Sequence, residues 1–256
     1  MNRLRILPLI ILLSIAAGCQ SLVRLSGDVL LYNGPGAEES CIDNTEELLE
    51  NLGWEVRRAG PDYFAEYGCA GFSLVVFPGG DMYQYAADLS GDAKADIRRF
   101  LADGGGYLGI CGGSYFAASR VFWQGNQLPM EPLALFSGDA VGPIDEIAPY
   151  PECEITGLHV VDDDHPITAG LEPNPRLTYC YGPYFVPDDD TPDVLHRYDV
   201  GEGAASLAFE YGAGRVFIIG LHPELTIVDD GDGGTDYHPD TYALIEAALD
   251  WTLEEG

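Results

Sequence analysis

The chain has 256 residues, 12 of them basic and 42 acidic, which gives a formal net charge of −30 at pH 7. A surface this acidic repels nucleic acid and anionic lipid, so the composition argues against a nucleic-acid-binding protein. Because the acids are spread in short clusters and salt screens their mutual repulsion, a halophilic or marine source is predicted. An acidic docking surface for a cationic partner is the alternative.

Residues 1–18 have the form of an export signal. Arg3 and Arg5 supply its positive start, and the apolar run that follows, residues 6–17, is too short to span a bilayer as a mature helix. No other segment of the sequence is apolar and long enough to span a membrane. Membrane contact is therefore expected through the N-terminus alone.

The apolar run ends in Ala16-Ala17-Gly18-Cys19, which resembles a bacterial lipoprotein cleavage box. Acylation of Cys19 would anchor the protein to the bacterial cell envelope, on its periplasmic or extracellular face. An ordinary signal peptide cleaved nearby is the alternative. Cleavage after residue 18 leaves 238 of the 256 residues. Of these, residues 19–27 are predicted to be a short tether and residues 28–256 one α/β domain.

Short apolar runs alternate with helical periodicity through the first half of the mature chain. The predicted strands are residues 29–32, 54–56, 72–77 and 107–110, and the predicted helices are residues 44–52, 92–102 and 112–119. This alternation predicts a doubly wound, mostly parallel sheet with helices on both faces. Ligands bind such sheets outside the carboxyl ends of the strands.

The second half of the chain is richer in predicted strands than in helices. Strands are predicted at residues 154–161 and 177–185, as an antiparallel extension, and at residues 194–198, 206–211 and 216–219, before a closing helix at residues 241–253. Residues 121–149 are predicted to be loop-rich and to cover the site.

Cys111 lies in Gly109-Ile110-Cys111-Gly112-Gly113, between a predicted strand and a predicted helix. A nucleophile elbow has this form, with one reactive side chain at the apex of a sharp turn. Small neighbours are needed because the apex backbone is strained, and the N-terminus of the following helix favours negative charge there. A buried structural cysteine is the alternative, but glycines on both sides favour a nucleophile.

A proton acceptor for Cys111 is predicted far downstream, in Leu221-His222-Pro223-Glu224. In an extended segment residues i and i+2 point to the same side, so Glu224 can orient the imidazole of His222. The imidazole can then take the thiol proton. Alone, His-Pro is more typical of a turn. Together with the elbow it predicts a catalytic triad of Cys111, His222 and Glu224.

Glycine-rich turns follow two other predicted strands. Pro78-Gly79-Gly80 ends the strand at residues 72–77, and the amides of Gly80 and Gly112 are the candidate oxyanion donors. An ordinary strand-to-loop turn is the alternative reading of Gly79-Gly80. Gly34 and Gly36 follow the first strand at the same edge of the sheet, and together with Tyr115 they are predicted to bind substrate.

Four stretches of the chain together resemble the amidotransferase-like N-terminal domain of eukaryotic biotin-protein ligases, within the class I glutamine amidotransferase-like superfamily. They are Tyr32-Asn33-Gly34-Pro35-Gly36, Val76-Phe77-Pro78-Gly79-Gly80, residues 111–121, and Gly182-Pro183-Tyr184-Phe185. The resemblance spans roughly residues 28–224. It implies a flavodoxin-like sheet and the triad positions Cys111, His222 and Glu224. Since no ligase domain follows, a stand-alone version of the domain is expected.

Tyr115 departs from the pattern of the wider superfamily. Glutamine-hydrolysing members usually carry Gln or Met four residues after the cysteine, so the resemblance does not carry glutaminase activity with it. Two functions are therefore expected. One is an envelope cysteine hydrolase or amidase acting on a small-molecule or peptide substrate without a cofactor. The other is a non-catalytic ligand-binding or scaffold lipoprotein that retains the elbow structurally.

Four cysteines remain besides the lipidation and elbow positions. Cys153 and Cys180 both fall between the elbow helix and the last strands, so they are the first choice for a disulfide in an exported protein. Cys41 is predicted near the carboxyl ends of the strands and Cys69 near the amino ends, which argues against pairing them. Four buried thiols are the alternative. Because no Cys-x-x-Cys pair is present, no metal site is expected from these residues.

The acidic run at residues 230–236 resembles part of a calcium loop. It lacks the terminal Glu and the full spacing of an EF-hand, so a solvated acidic loop is favoured and no metal site is predicted there.

Overall fold

The computed structural model describes residues 27–201, 203–225 and 239–254. Five parallel strands form the centre of the sheet, in the order β2-β1-β3-β4-β13. They are β1 (Val29–Tyr32), β2 (Val56–Ala59), β3 (Leu74–Phe77), β4 (Gly106–Ile110) and β13 (Gly214–Ile219). Helices cover both faces, so β1, β3 and β4 are buried throughout, as their continuous apolar runs predict. The predicted doubly wound, flavodoxin-like α/β sheet is confirmed.

The helices are α1 (Glu39–Asn51), α2 (Pro61–Tyr67), α3 (Met82–Asp88), α4 (Gly91–Ala102), α5 (Gly112–Ala117) and α6 (Pro239–Leu253). The seven-residue helices α2 and α3 were not predicted, because each is too short to show a period and is rich in aromatic residues. α1 begins five residues before its predicted start. As a result, Cys41 lies on the buried face of its first turn.

Residues 121–149 are loop-rich as predicted, since 17 of these 29 residues lie outside strands, but the segment also contributes three strands that were not predicted. The elbow helix ends at Ala117 rather than near residue 119. β5 (Ala118–Trp123) follows that helix without a break, and β6 (Asn126–Gln127) and β7 (Phe136–Gly142) continue the sheet. β7 alternates buried and exposed positions but contains two glycines and an aspartate, which weaken its strand pattern.

The remaining strands form the predicted antiparallel extension. They are β8 (Glu154–Val160), β9 (Arg176–Tyr179), β10 (Tyr184–Pro187), β11 (Asp193–Tyr198) and β12 (Ala204–Tyr211). The single strand predicted at residues 177–185 is two strands, separated by a turn in which Tyr181 has a φ of 51°. This turn places Cys180 and Tyr181 beside the elbow.

β2 lies two to three residues later than predicted. Its centre is Arg57-Arg58, and Arg58 is half-buried against α1, where it pairs with Asp43 at 2.8 Å and with Glu46. Charged side chains in a short strand hide its apolar pattern, which explains the shift.

Lys94 is the only lysine in the sequence, and it is buried, with 5% of its surface exposed. Its Nζ donates hydrogen bonds to the carbonyl oxygens of Ala86 at 2.7 Å and Glu131 at 2.8 Å. Burial lowers the pKa of the ammonium group. The side chain thus ties α3 and α4 to the segment before β7.

Among the helices of the described residues, none is long and apolar enough to cross a membrane. The predicted signal peptide, the lipidation site at Cys19, most of the tether and the acidic run at residues 230–236 lie outside the described residues.

Candidate active site

Cys111 forms the apex of a tight turn between β4 and α5, with φ 47° and ψ −102°. A side-chain-bearing residue adopts such angles only when its surroundings hold it there. Its N–H donates to the carbonyl oxygen of Ile219 at 2.9 Å, and its own carbonyl accepts from the N–H groups of Ser114 and Tyr115, both at 3.0 Å. The elbow predicted from the glycine pattern is therefore formed.

The glycines after Cys111 allow the elbow to pack directly on the loop that follows β3. A Cβ atom on Gly112 would lie 2.7 Å from the nitrogen of Gly80 and nearer still to its carbonyl oxygen. A Cβ atom on Gly113 would lie 2.6 Å from the carbonyl carbon of Phe77. No side chain fits at either position without moving one backbone against the other.

The two candidate oxyanion donors are brought together by this packing. Gly80 has a φ of 149° and forms a β-bridge with Ala37. In the bridge, Glu38 N–H donates to Gly79 O at 3.1 Å and Asp81 N–H donates to Gly36 O at 2.7 Å. The N–H of Gly80 takes part in neither hydrogen bond. The N–H of Gly112 opens α5 and has no intrahelical acceptor. Neither amide is therefore used by these backbone hydrogen bonds, and both remain candidate oxyanion donors.

His222 and Glu224 lie in the turn directly after β13 and are almost completely buried, with 2% and 1% of their surfaces exposed. The His222 backbone N–H donates to Thr178 O at 2.9 Å, which fixes the turn. Nδ1 of His222 lies 2.7 Å from Oε1 of Glu224. The two side chains meet as predicted, but within a turn closed by the hydrogen bond from Leu225 N–H to His222 O rather than in an extended segment.

The electrostatics of His222 reflect two neighbours, Cys111 and Glu224. Burial alone lowers an imidazole pKa, but charge interactions with Cys111 and Glu224 raise the pKa of His222 well above its ordinary value. Nδ1 faces Glu224, which leaves Nε2 for Cys111. Nε2 has no hydrogen-bond partner of normal geometry, and the Cys111 thiol donates instead to the carbonyl oxygen of Cys180 at 3.5 Å.

Cys41 is a site residue that the sequence reasoning missed. Its Sγ lies 3.9 Å from Nδ1 of His222. Burial raises the pKa of the Cys41 thiol, while the hydrogen bond with His222 opposes that change. Gly79 makes the approach possible, since a Cβ atom there would lie 2.7 Å from both Cys41 Sγ and His222 Cε1. The available signal was its place in the first turn of the helix after β1, at the carboxyl edge of the sheet.

A cavity of about 840 Å³ opens over these groups. Its lining includes five of the predicted site residues: Gly36, Gly80, Cys111, Tyr115 and His222. Gly34 lies outside that lining, where a Cβ atom would meet Pro61 Cδ at 2.7 Å and the Tyr32 ring. Gly34 therefore packs the loop behind the cavity.

Aromatic rings form one wall of the cavity. Trp123, Tyr150 and Tyr181 pack edge to face, with ring centroids 5.1 to 6.4 Å apart. The hydroxyl of the buried Tyr115 donates to Tyr181 O at 3.1 Å, and burial raises the pKa of this phenol so that it stays a donor. Of these three rings, that of Trp123 comes from the region predicted to be loop, residues 121–149.

Apart from the imidazole of His222, the charged side chains of the cavity are all acidic. They are Glu38, Asp81 and Glu154, and the described lining contains neither Lys nor Arg. The predicted disulfide between Cys153 and Cys180 is present, and both of its residues line the same cavity. It joins the start of β8 to the turn that carries the acceptor for the Cys111 thiol.

Solved structures with this architecture include PurLQS, a glutamine amidotransferase and a thua-like protein. A chain of PurLQS from Thermotoga maritima superposes with a TM-score of 0.61 at 20% identity, covering 89% of this chain and 99% of its own. A glutamine amidotransferase from the same organism gives 0.59 at 15% identity, covering 91% and 100%. A thua-like protein from Bacteroides uniformis gives 0.58 at 12%, covering 92% and 95%. These likenesses show the fold.

The amino-acid sequence identifies a more specific family than the fold does. It is 27% identical over 218 residues to the biotin–protein ligase of Schizosaccharomyces pombe, covering 78% of this chain and 33% of that protein, so the chain spans about a third of the relative's length. The family model described as "Biotin-protein ligase, N terminal" matches residues 27–240. This chain belongs to the family of biotin-protein ligase N-terminal domains.

Proposed function

We propose that this protein is a cysteine-dependent hydrolase or amidase. The observation that carries the proposal is the pair formed by His222 and Glu224, with Nδ1 of the imidazole 2.7 Å from the carboxylate and Nε2 left for the elbow thiol. A buried base that is oriented on one nitrogen and free on the other is what a cysteine nucleophile needs. A purely structural cysteine has no use for such a base.

In the proposed reaction the Cys111 sulfur attacks a carbonyl carbon while its proton passes to Nε2 of His222. The amides of Gly80 and Gly112 hold the oxyanion. The C–N bond then breaks, and His222 returns the proton to the leaving amine, which leaves a thioester on Cys111. Water, deprotonated by His222, attacks the thioester and the C–S bond breaks, releasing a carboxylic acid and restoring the thiol.

The lining of the cavity favours a neutral or cationic small-molecule or peptide amide. Glu38, Asp81 and Glu154 repel a carboxylate, the described lining contains neither Lys nor Arg to bind one, and the imidazole of His222 is already paired with Glu224. The face of Trp123 and its tyrosine neighbours offers an apolar, electron-rich surface to a cationic or aromatic group. Free glutamine carries a carboxylate and fits this lining poorly.

Labelling of Cys111 with electrophilic amide and glutamine analogues, read by mass spectrometry, tests the proposal. Labelling is expected at Cys111 in preference to the buried Cys69, and it should slow by about 10²-fold or more in His222→Gln, because the general base is lost. Amide analogues should react faster than glutamine analogues. The proposal fails if His222→Gln labels at the wild-type rate, or if Cys111→Ala retains the turnover of any substrate found.

A non-catalytic binding role is the second candidate, and one observation favours it. The Cys111 thiol is 3% exposed and donates to the Cys180 carbonyl rather than to His222. On this reading the thiol only fastens the turn after β9. A Cys111→Ala protein that binds an amide ligand as tightly as wild type, combined with slow and His222-independent labelling of the wild-type thiol, would support it.

We also propose that the protein is a lipoprotein anchored to the envelope through Cys19. The basis is the sequence pattern of residues 1–19. A fatty-acid analogue fed to cells should label the wild-type protein and not Cys19→Ala. Membrane fractionation should show the same dependence. Equal labelling of the two proteins would overturn this assignment.

A further inference from the structure

Three side chains from two distant parts of the chain meet beneath the cavity. The ligand atoms of Cys41, His222 and Glu224 all lie within 4.8 Å of one another, and all three residues are buried. Cys41 comes from the first turn of α1, and the other two come from the turn after β13. Both Cys41 Sγ and Glu224 Oε1 approach the same imidazole nitrogen, Nδ1, at 3.9 and 2.7 Å.

The proposed hydrolase chemistry does not use this group in full. It gives no role to Cys41, and the second carboxylate oxygen of Glu224 has no hydrogen-bond partner although it is buried. An unpartnered buried carboxylate oxygen is costly, so a ligand that satisfies it is favoured. The cavity provides the route, because Cys41 and His222 both line it.

The donor set and its spacing fit a zinc ion. Thiolate, imidazole and carboxylate are the three protein ligands that zinc uses, in four-coordinate sites. Tetrahedral bonds of about 2.3 Å to sulfur and about 2.0 Å to nitrogen and oxygen place sulfur about 3.6 Å and oxygen about 3.4 Å from the nitrogen. The observed 3.9 Å from Cys41 matches the first distance, and the carboxylate at 2.7 Å has less than an ångström to move.

We propose that Cys41, His222 Nδ1 and Glu224 bind a zinc ion, with water as the fourth ligand. Binding forms bonds from Zn²⁺ to sulfur, nitrogen and oxygen. The thiol proton of Cys41 and the Nδ1 proton of His222 leave to solvent, and the remaining imidazole proton resides on Nε2.

The role of the metal rests on the proposed function: zinc bound at this site keeps the hydrolase inactive. With Nδ1 on the metal and a proton on Nε2, His222 cannot accept the proton of Cys111. Glu224, now a metal ligand, no longer orients the imidazole. Zinc is therefore an inhibitor here, unlike a catalytic metal that activates water.

Cobalt(II) substitutes for zinc and reports a thiolate ligand through a near-ultraviolet charge-transfer band, so it is the probe. One equivalent should give the band in wild type, in Cys111→Ala and in the matched control Cys69→Ala, but not in Cys41→Ser. Far-ultraviolet circular dichroism checks that Cys41→Ser is folded. Equilibrium dialysis should show that wild type, Cys111→Ala and Cys69→Ala bind zinc. Cys41→Ser and Glu224→Gln should bind zinc with at least tenfold weaker affinity.

Absence of the band in wild type would overturn the proposal. So would a band that survives in Cys41→Ser and disappears in Cys111→Ala, since the metal would then sit on the elbow thiol. These readouts do not depend on turnover. If the protein hydrolyses no substrate but shows the Cys41-dependent band, the proposed function is wrong and the proposed metal site stands. If turnover is found, one equivalent of zinc should reduce it at least tenfold in wild type.

Discussion

The backbone of Gly112 lies against the backbone of Gly80, so closely that a Cβ atom on Gly112 would come within 2.7 Å of the Gly80 nitrogen. This contact joins the elbow to the candidate oxyanion loop and leaves no space for a methyl group.

Gly112→Ala should therefore lower the free energy of unfolding by about 1 to 3 kcal/mol, as overpacking does, and abolish Cys111 labelling by electrophiles. Gly91→Ala is the matched control. Gly91 opens α4, and a Cβ atom there meets nothing within 4 Å, so this change should be neutral or slightly stabilising. Urea unfolding measures both variants, and equal stability of the two would contradict the packing described for the elbow.

The raised pKa of His222 makes stability depend on pH in a defined direction. Since the folded state holds the proton more tightly than the unfolded chain, the stabilising contribution is complete below about pH 6.5, the unfolded value. It is lost as pH rises through the folded pKa, which charge interactions with Cys111 and Glu224 raise.

The difference in unfolding free energy between wild type and His222→Gln should therefore shrink as pH increases above about 6.5. Urea titrations across the neutral and alkaline range measure it. Thr178→Val is the control, because it lies beside the same turn and does not titrate, so its difference from wild type should stay constant. A gap for His222→Gln that widens with pH would mean that folding lowers the pKa of His222 instead of raising it.

The Cys153–Cys180 disulfide spans 27 positions of the chain. Closing a loop of this size restricts the unfolded chain, and its loss should lower the free energy of unfolding by about 3 kcal/mol. Unfolding with and without dithiothreitol measures the effect on wild type. The Cys153→Ala/Cys180→Ala double variant should match reduced wild type and should not respond to the reductant. A full response of the double variant would place the effect elsewhere.

Raised salt should stabilise the fold. After signal cleavage the predicted chain of 238 residues carries a charge of −32, because Arg3 and Arg5 leave with the signal. Screening lengths fall from about 8 Å at physiological ionic strength to about 3 Å at 1 M, which removes most repulsion between exposed carboxylates. Tm should rise from low salt to about 2 M sodium chloride, most steeply at the start.

Asp163→Asn/Asp164→Asn tests whether this salt effect comes from the acidic clusters. Both residues lie in the acidic cluster at residues 162–164, so the double variant should show a higher Tm at low salt and a smaller rise with salt. A flat or falling Tm in wild type would indicate that the acidic side chains are neutralised within the molecule. That result would favour a cation site at residues 230–236.

The sequence was most informative where one residue type is required by geometry. The elbow at Cys111 could be predicted because only small residues fit against the neighbouring loop, and the strands β1, β3 and β4 could be predicted because strands buried on both faces are continuously apolar. The prediction was weakest between Ala118 and Gly142, where glycines and polar residues pair strands through backbone hydrogen bonds that leave little trace in composition.

Cys41 shows a second limit of prediction from the sequence. It is 181 residues from His222 in the sequence, and the contact depends on where α1 begins and on the missing side chain of Gly79. Neither can be read from local periodicity. A helix that began at residue 44 would leave Cys41 in a loop, and only the observed start at Glu39 turns it toward the imidazole.

The burial of Lys94 has a practical consequence. With its Nζ held between two carbonyl oxygens, the chain presents no lysine amine to solvent. Amine-directed cross-linkers and N-hydroxysuccinimide dyes will therefore find little to modify, and a lysine-targeted acyl transfer, such as attachment of biotin, has no exposed acceptor on this molecule. Carbodiimide coupling through the abundant carboxylates is the chemistry by which its neighbours can be captured.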